Sequence, residues 1–500
     1  MYNVLAYMKF WRMKMKFSIK VMAAVLALLT CVSVAACNKS KDTQSTETTT
    51  QPIAQTTPTP VVTTTETPKP KETLAPPITL DTTTFQAALT SSFRDSLTFD
   101  LTANIPEDGV ITNAAQLQAV LTNGTANANY TVNAKEIDCK GLGWTGLKGY
   151  RGTFDFGGCV VKNASCPMFL SVTNGTVKNL TIAESKYNYN DADSEKDSPI
   201  LSSHKARIYY APVVSYLNGG VVDNIVIEST VEMNTSIYTK GAGIGGIVGW
   251  AHGGNMTISN CTFKGTFYTD SGTGYFGGIV GNFEGSAYNF SQSSPENAAA
   301  KIINCTNFGT LTEEDNANDS KLGGIAGGIV TSAVIRCANY GKVTSGNSGQ
   351  TAGVVAYVYG NIGVVYCLNA GEVSVENRGG GICAYSNGSN RYFYGCVNAG
   401  KITSRNGQGA GLVAYARSTE TFINCYNYNR HAASAIKNVN DKNVGVGSKP
   451  TNVEKLTVTN CNAFADLAKL NEAVSASCPG VFAYDAASQT FTIPTAKTVK

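Results

Sequence analysis

The sequence predicts an all-β fold, a right-handed parallel β-helix, and three observations carry that expectation. First, a phrase recurs down the second half of the chain: an apolar Gly-rich run, then a cysteine, then a glycine and a short β-branched strand. It reads Gly245-Gly246-Ile247-Val248-Gly249 before Cys261, Gly277-Gly278-Ile279-Val280-Gly281 before Cys305, and Gly323-Gly324-Ile325-Ala326-Gly327 before Cys337. Looser copies are Ala352-Gly353-Val354-Val355-Ala356 before Cys367, Gly380-Gly381-Ile382-Cys383-Ala384 before Cys396, and Ala410-Gly411-Leu412-Val413-Ala414 before Cys425. Second, these cysteines are 44, 32, 30, 29 and 29 residues apart, a spacing that marks a solenoid. Third, no part of the repeat has a 3.6-residue apolar period.

One 29-residue period, Gly353 to Gly381, sets out the expected coil. Val354 to Val358 reads as a strand turned by Gly360-Asn361. Ile362 to Cys367 reads as a second strand, turned by Asn369-Ala370-Gly371. Glu372 to Val375 alternates as a third, and Asn377-Arg378-Gly379 closes the coil. Three short strands per coil, each lying on its counterpart in the next, advance about 4.8 Å per coil, so nine or ten coils would extend roughly 45 Å. Same-slot residues then form columns. Ile247, Ile279, Ile325, Val354, Ile382 and Leu412 are expected to stack inside, together with the six repeat cysteines. Asn260, Asn304 and Asn424 precede the cysteine, and Gly265, Gly309, Gly341, Gly371 and Gly400 lie four residues or so after it. Both are expected at corners of left-handed or turn geometry.

The chain ahead of the repeat divides by composition. Lys14, Lys16 and Lys20 precede an apolar run, Val21 to Leu29, that is short for a transmembrane helix. Val34-Ala35-Ala36-Cys37 resembles a bacterial lipobox, which implies that residues 1–36 are a lipoprotein signal peptide and that Cys37 is lipidated and becomes the mature N-terminus. The plainer alternative is an ordinary signal peptide cut after Ala36, and Met13 or Met15 is an alternative start. Residues 37–78, rich in Thr, Pro, Ser and Gln, bury too little apolar surface to offset the entropy of ordering. They are expected to be a disordered tether, with 79–107 a lead-in and 108–440 the β-helix.

The repeat phrase, taken with segments upstream, resembles the GLUG-motif family of bacterial surface proteins, within the wider pectate-lyase-like β-helix group. Ala114 to Val120 resembles the short helix that caps the N-terminal end of such folds. Arg151-Gly152-Thr153-Phe154-Asp155-Phe156-Gly157-Gly158 resembles the family's opening coil, and Gly175 to Ile182 its next rung. Cys159 replaces a residue that is polar in the family, so no role carries over to it. The resemblance covers residues 108–440 and implies a fold, not an activity.

Residues 441–500 are expected to be a C-terminal cap over the last coil. Phe464 to Val474 has helix-like amphipathic spacing, and Val481 to Ile493 alternates as one or two strands. Capping protects an exposed sheet edge. The six repeat cysteines are expected to be buried free thiols, because stacked cysteines have parallel Cβ vectors that suit a disulfide poorly. Cys139, Cys159, Cys166, Cys461 and Cys478 lie outside that array and are the better disulfide candidates.

Composition narrows the chemistry. A net charge of +4 over 500 residues, with no basic stripe, argues against nucleic acid as a partner. The three histidines, His204, His252 and His431, fit no zinc-peptidase motif, and no nucleophile elbow is present. No catalytic residue, cofactor or metal site is assigned. Asp191, Asp193, Glu195 and Asp197 alternate like a calcium loop, but Lys196 and Ser202 stand where that loop needs glycine and glutamate. This run and Glu313, Glu314, Asp315 and Asp319 are expected to be solvated loops. Tyrosine is enriched, with 24 copies, and those in the C-terminal coils are candidate ligand contacts: Tyr340, Tyr359, Tyr385, Tyr392, Tyr394 and Tyr415, with Tyr426 and Tyr428 nearby. The expected protein is a non-catalytic lipoprotein at the outer face of a bacterial membrane, presenting a rigid β-helix to a glycan or a surface protein. A polysaccharide-degrading lyase or hydrolase on the same scaffold is the alternative, and a passive spacer the third.

Overall fold

The computed structural model describes residues 97–99, 104–190, 209–236, 241–270, 274–285, 295–314, 320–346, 349–388, 390–405, 408–417, 420–428, 446–448 and 456–494. The expected signal peptide, with Cys37, and the expected tether lie outside the described residues. Within them the chain is a parallel β-helix. The coil beginning at Gln350 shows its plan: strands Gln350–Ala352, Val355–Tyr359, Ile362–Val365, Leu368–Asn369 and Val373–Val375 follow one another. These five segments fall into three parallel sheets. The second, third and fourth strands share one sheet. The first and fifth each belong to a seven-stranded sheet of their own. The coil has three faces, as expected, but Arg378 and Gly379 of the expected closure belong to a strand, Arg378–Gly380.

Strands lie in parallel register on their counterparts one coil away. In the third column the inward residues run Phe154, Val177, Val222, Ile258, Ile302, Val334, Val364, Phe393, Phe422 and Val458. The column Ile247, Ile279, Ile325, Val354, Ile382 and Leu412 is buried throughout. Its members are joined by backbone hydrogen bonds such as Ile279 N to Ile325 O, 3.1 Å. The repeat cysteines form a second buried column. Each thiol donates to a carbonyl of the preceding coil, as Cys396 Sγ does to Val364 O at 3.3 Å. Burial holds the thiols of Cys305, Cys367, Cys396 and Cys425 well above their ordinary value, so they stay protonated and inert.

All twelve described cysteines are free, so the disulfide candidates are not bridged here. Cys139, Cys159 and Cys166 are buried, with Cys159 pushed up to about 11 and Cys166 to about 12 by burial. Cys461 is not outside the array: its Sγ accepts from Cys425 N at 3.3 Å, one coil further on.

Two residues past each cysteine from Cys305 to Cys425, a buried asparagine column replaces the apolar interior, the same slot after Cys261 holding Phe263. Asn307 Nδ2 donates to Asn339 Oδ1 (2.6 Å), Asn339 to Asn369 (2.8 Å), Asn369 to Asn398 (2.7 Å) and Asn398 to Asn427 (2.8 Å). The same nitrogens of Asn339, Asn369 and Asn398 also donate to the carbonyls of Gly341, Gly371 and Gly400 at 3.0–3.1 Å. Every amide is therefore satisfied by its neighbours, the condition for burying polar groups without large cost.

The corner expectation holds for both, in different ways: the asparagines are left-handed and the glycines stand at bends between strands. The residue before the cysteine slot has φ of +53° at Asn260, +55° at Asn304 and +53° at Asn424, and the slot tolerates Arg336 at +50° and Tyr366 at +54°. The glycines after the cysteine are not left-handed. Close approach requires them: a Cβ on Gly371 would stand 2.0 Å from Gly341 O.

The ends differ in kind. At the N-terminal end, the helix Ala114–Asn123 is capped by Asn113, whose side chain accepts from Gln116 N. Its Leu117, Val120 and Leu121 join the main core. At the C-terminal end the stack continues past residue 440. Val446–Ser448, Thr457–Thr459 and Asn462–Phe464 pair with the coil before them.

The tail then forms a helix, Leu467–Ser477, and an antiparallel hairpin, Ala483–Asp485 with Thr490–Thr492. These are the expected elements, but they lie along the flank instead of across the end. Leu470, Val474 and Phe491 bury against Ala338, Leu368, Val397 and Tyr426, which face outward from four successive coils. The hairpin's end reaches Tyr340, whose hydroxyl accepts from Ile493 N at 3.1 Å. The reason is apolar surface: upstream the same outward slot holds Thr262 and Thr306, whereas these four coils present surface that needs cover. Gly395 (φ +59°) stands in the corner slot where the tail crosses. A Cβ there would meet Cys478 Sγ at 3.0 Å and Tyr366 Cδ1 at 2.6 Å.

Replacing Asn369 by alanine leaves Asn339 Nδ2, Asn398 Oδ1 and Gly371 O without the partner each has now. At roughly 1–3 kcal/mol per unsatisfied buried group, Asn369→Ala is expected to lower the thermal midpoint sharply. Asn424→Gly, at a half-buried left-handed corner where glycine suits the backbone, loses the bond from Asn460 and should cost less, about 1 kcal/mol or under. Circular-dichroism melts of the two variants compare the sites directly.

Candidate functional site

The outward faces of the first and second strand columns meet at the Gly-rich corner, and aromatic side chains from both sides collect there. In the second column the aligned residues are Tyr216, Trp250, Asn282, Gly328, Tyr357, Tyr385 and Tyr415. In the first they are Tyr209, Gly243, Tyr275, Lys321, Gln350 and Arg378. The two series interlock. Where one carries a ring the other has glycine: a Cβ on Gly243 would lie 2.6 Å from the Trp250 ring, and one on Gly328 2.5 Å from the Tyr275 ring. Ring centroids are 4.8 Å apart for Tyr209–Trp250, 5.7 Å for Trp250–Tyr275 and 6.3 Å for Tyr275–Tyr357.

Accessibility varies along the stripe. Trp250 is 3% exposed and Tyr209 2%, so these two rings are sealed in, whereas Tyr216 and Tyr275 beside them are half-buried. Tyr357, Tyr385 and Tyr415 are half-buried and form the open half. Tyr357 and Tyr385 lie 5.5 Å apart at 16°, and Tyr385 and Tyr415 5.0 Å apart at 11°. Near-parallel planes at that separation are offset stacks, which overlap like shingles and leave each ring partly exposed.

Cations are threaded through the same half. The Arg378 guanidinium carbon is 5.2 Å from the Tyr385 ring centre and 5.1 Å from that of Tyr415. Lys321 Nζ is 5.1 Å from Tyr275 and 5.9 Å from Tyr357. These distances fit cation–π attraction. Arg417, exposed, donates from Nη1 to Tyr385 Oη at 3.2 Å.

A buried ion pair lies close in sequence and space to the open half. Arg391 Nη2 is 3.1 Å from Glu420 Oε1, with neither side chain exposed. Glu420 Oε1 also accepts from the Arg417 backbone N at 3.3 Å, which ties the pair to the residue that caps the ring ladder.

The structure brings together only Tyr385 and Tyr415 of the six tyrosines singled out from sequence. Tyr359, 49% exposed, stands two residues beyond Tyr357 in register with Val330 and Asn387. Tyr340 stacks on Phe308 at 4.9 Å and serves the tail. Tyr392 and Tyr394 belong to the third column, their rings 5.9 Å apart. Burial pushes the Tyr392 hydroxyl up to about 12. Tyr426 hydrogen-bonds Ser477 of the tail helix at 2.6 Å.

The partners missed were Tyr209, Tyr216, Trp250, Tyr275, Tyr357 and the cations. A signal was present for some of them. Tyr357, Tyr385 and Tyr415 each directly follow the alanine that ends a repeat phrase, and Trp250 follows Gly249 in the same way.

The remaining candidates do not assemble. His252 is exposed, while His204, His431 and the 191–197 acidic run lie outside the described residues. Glu313 is not a solvated loop residue: it is buried and accepts from Ser345 Oγ at 2.5 Å. Among the described residues no group of three or more His, Cys, Asp or Glu side chains is placed to hold a metal.

No protein-family model matches the chain, and no curated protein matches it. Among solved structures it is similar to a Bacteroides ovatus protein described as a "putative immunoglobulin A1 protease". The identity is 16% and the TM-score 0.35, over 77% of this chain and 91% of that one. A likeness at that level carries no argument about activity.

Glu420→Ala would leave Arg391 buried without its carboxylate, which is expected to cost about 3–5 kcal/mol. A double replacement, Arg391→Met with Glu420→Leu, should recover most of that loss. Equilibrium denaturation of the two variants beside the parent protein checks both outcomes.

Proposed function

We propose that this chain is a non-catalytic lipoprotein on the outer side of a bacterial membrane, and that its β-helix binds glycan through the open half of the aromatic stripe. The observation that carries the reading is the Tyr357–Tyr385–Tyr415 ladder with Arg378 and Arg417 set among its rings. Amphipathic rings with a polar edge suit pyranose units, which also present an apolar face and a rim of hydroxyls. Coils advance by about 4.8 Å, close to the length of one pyranose unit, so a chain laid along the axis meets an equivalent ring at each step.

Sequence supports the address. The lipobox-like Val34-Ala35-Ala36-Cys37 and the Thr/Pro-rich segment after it suit a body held off a membrane by a lipid and a flexible spacer. By roughly 5–6 Å times the square root of residue number, such a spacer reaches tens of Å. The GLUG-like phrases agree with a surface role.

Two experiments test the reading. A glycan array probed with the full-length protein in detergent should show binding. Tyr385→Ala and Tyr415→Ala should each weaken it by about 5–30-fold, the equivalent of 1–2 kcal/mol; an array blank for every glycan would refute the reading. Separately, expression in a bacterium fed radiolabelled palmitate should label the protein, and Cys37→Ser should abolish that label.

A further inference from the structure

We propose that Cys425 and Cys461, the last two thiols of the cysteine column, form a binding site for a soft metal ion of the copper(I) type, held in line between the two sulfurs. The site is independent of the glycan-binding reading and lies at the C-terminal end of the column.

Register sets the two thiols one over the other. Ile423 pairs with Thr459 and Tyr426 with Asn462, so Cys461 lies over Cys425, and Cys425 N donates to Cys461 Sγ at 3.3 Å. The two sulfurs are within hydrogen-bonding reach of each other. Stacked cysteines with parallel Cβ vectors suit a disulfide poorly, because that bond needs sulfurs about 2.05 Å apart and a torsion near 90°. They suit a linear metal bridge better. Metal–thiolate bonds are about 2.3 Å long, so two in line span about 4.6 Å, close to the coil rise of about 4.8 Å.

Access selects this pair from the column. Every described cysteine except Cys461 is buried. The thiols of Cys305, Cys367 and Cys396 each stand between two others, whereas Cys461 is half-exposed and among the described residues no further thiol lies beyond it. Its Sγ donates to Thr459 O at 3.3 Å, an interaction near the surface that an arriving ion can displace.

The chemistry follows from the donor set. Soft thiolate sulfur selects copper(I)-type ions, and a coordinated thiol gives up its proton. Two thiols and one monovalent ion therefore yield a bis-thiolate complex of charge −1 and two protons, with no electron transferred. Cys425 Sγ donates to Phe393 O and Ile423 O, each at 3.4 Å, and burial keeps it protonated until a metal arrives. The half-exposed Cys461 captures the ion, and Cys425 then closes the second bond. A structural zinc site needs four ligands, and no three such groups converge among the described residues; a linear ion needs two.

The test titrates silver(I), a redox-inert analogue of copper(I), into the reduced full-length protein in detergent. Isothermal titration calorimetry in buffers of different ionisation enthalpy reads both affinity and proton release. The site is the binding event that Cys461→Ser removes. It is expected to take one ion, to release about two protons, and to weaken about tenfold or more in Cys425→Ala. X-ray absorption of the parent protein with one equivalent of copper(I) should show two sulfur neighbours.

Release of one proton per ion, with affinity unchanged in Cys425→Ala, would identify an ordinary exposed thiol and overturn the proposal. Identical titration curves for Cys461→Ser and the parent would overturn it as well. Should Cys425→Ala fail to fold, the proton count and the number of sulfur neighbours in the parent protein decide the matter.

Discussion

The structure depends on one constraint: each coil must lie in parallel register directly over the last. Because the side-chain period of a strand is two, a slip of one residue would turn every inward side chain outward. The buried asparagine column makes that slip costly. From Asn307 to Asn427, four amide-to-amide hydrogen bonds of 2.6–2.8 Å run along the axis, and a shifted coil would set an apolar residue against an amide buried without its partner. Leu, Ile and Val columns tolerate such exchanges of neighbours; an amide column does not. The asparagines specify, and the apolar columns supply most of the burial.

The same register builds the outward stripe. A residue repeated once per coil is repeated at one spacing along the axis, so three tyrosines in one slot become a stacked ladder without further design. The stripe's novelty lies in the corner, where two sheets bring their outer faces together. Glycines at 243 and 328 make room for rings from the opposite column. Rings and cations that are dispersed along the sequence become one surface, sealed at Trp250 and open at Tyr357 to Tyr415.

The tail shows how a solenoid can be closed along its side. Its helix and hairpin cross four coils, burying Ala338, Leu368, Val397 and Tyr426. Those four residues are more apolar than the threonines of the same slot upstream, so the β-helix and its strap are matched coil by coil. Gly395 at the crossing, in a slot otherwise held by Asn, Arg or Tyr, is the local adaptation that lets Cys478 seat closely.

Much of the fold was legible in the sequence. The period, the inward isoleucine and cysteine columns, the left-handed asparagine corners, the N-terminal helix and the helix and hairpin of the tail all follow from local pattern repeated in one slot. Inward slots are readable because the same packing demand recurs in each coil and selects the same residue type. The asparagine column was equally periodic, at Asn307, Asn339, Asn369, Asn398 and Asn427, yet its role depends on amides meeting across coils. What only tertiary structure decided was adjacency between different slots. The bend at the glycine corner determines that Lys321 and Arg378 face tyrosines of the next strand, that Tyr340 belongs to the tail, and that Arg391 meets Glu420. Linear spacing gives the rise from coil to coil but not the angle between faces, and that angle sets which outward side chains touch.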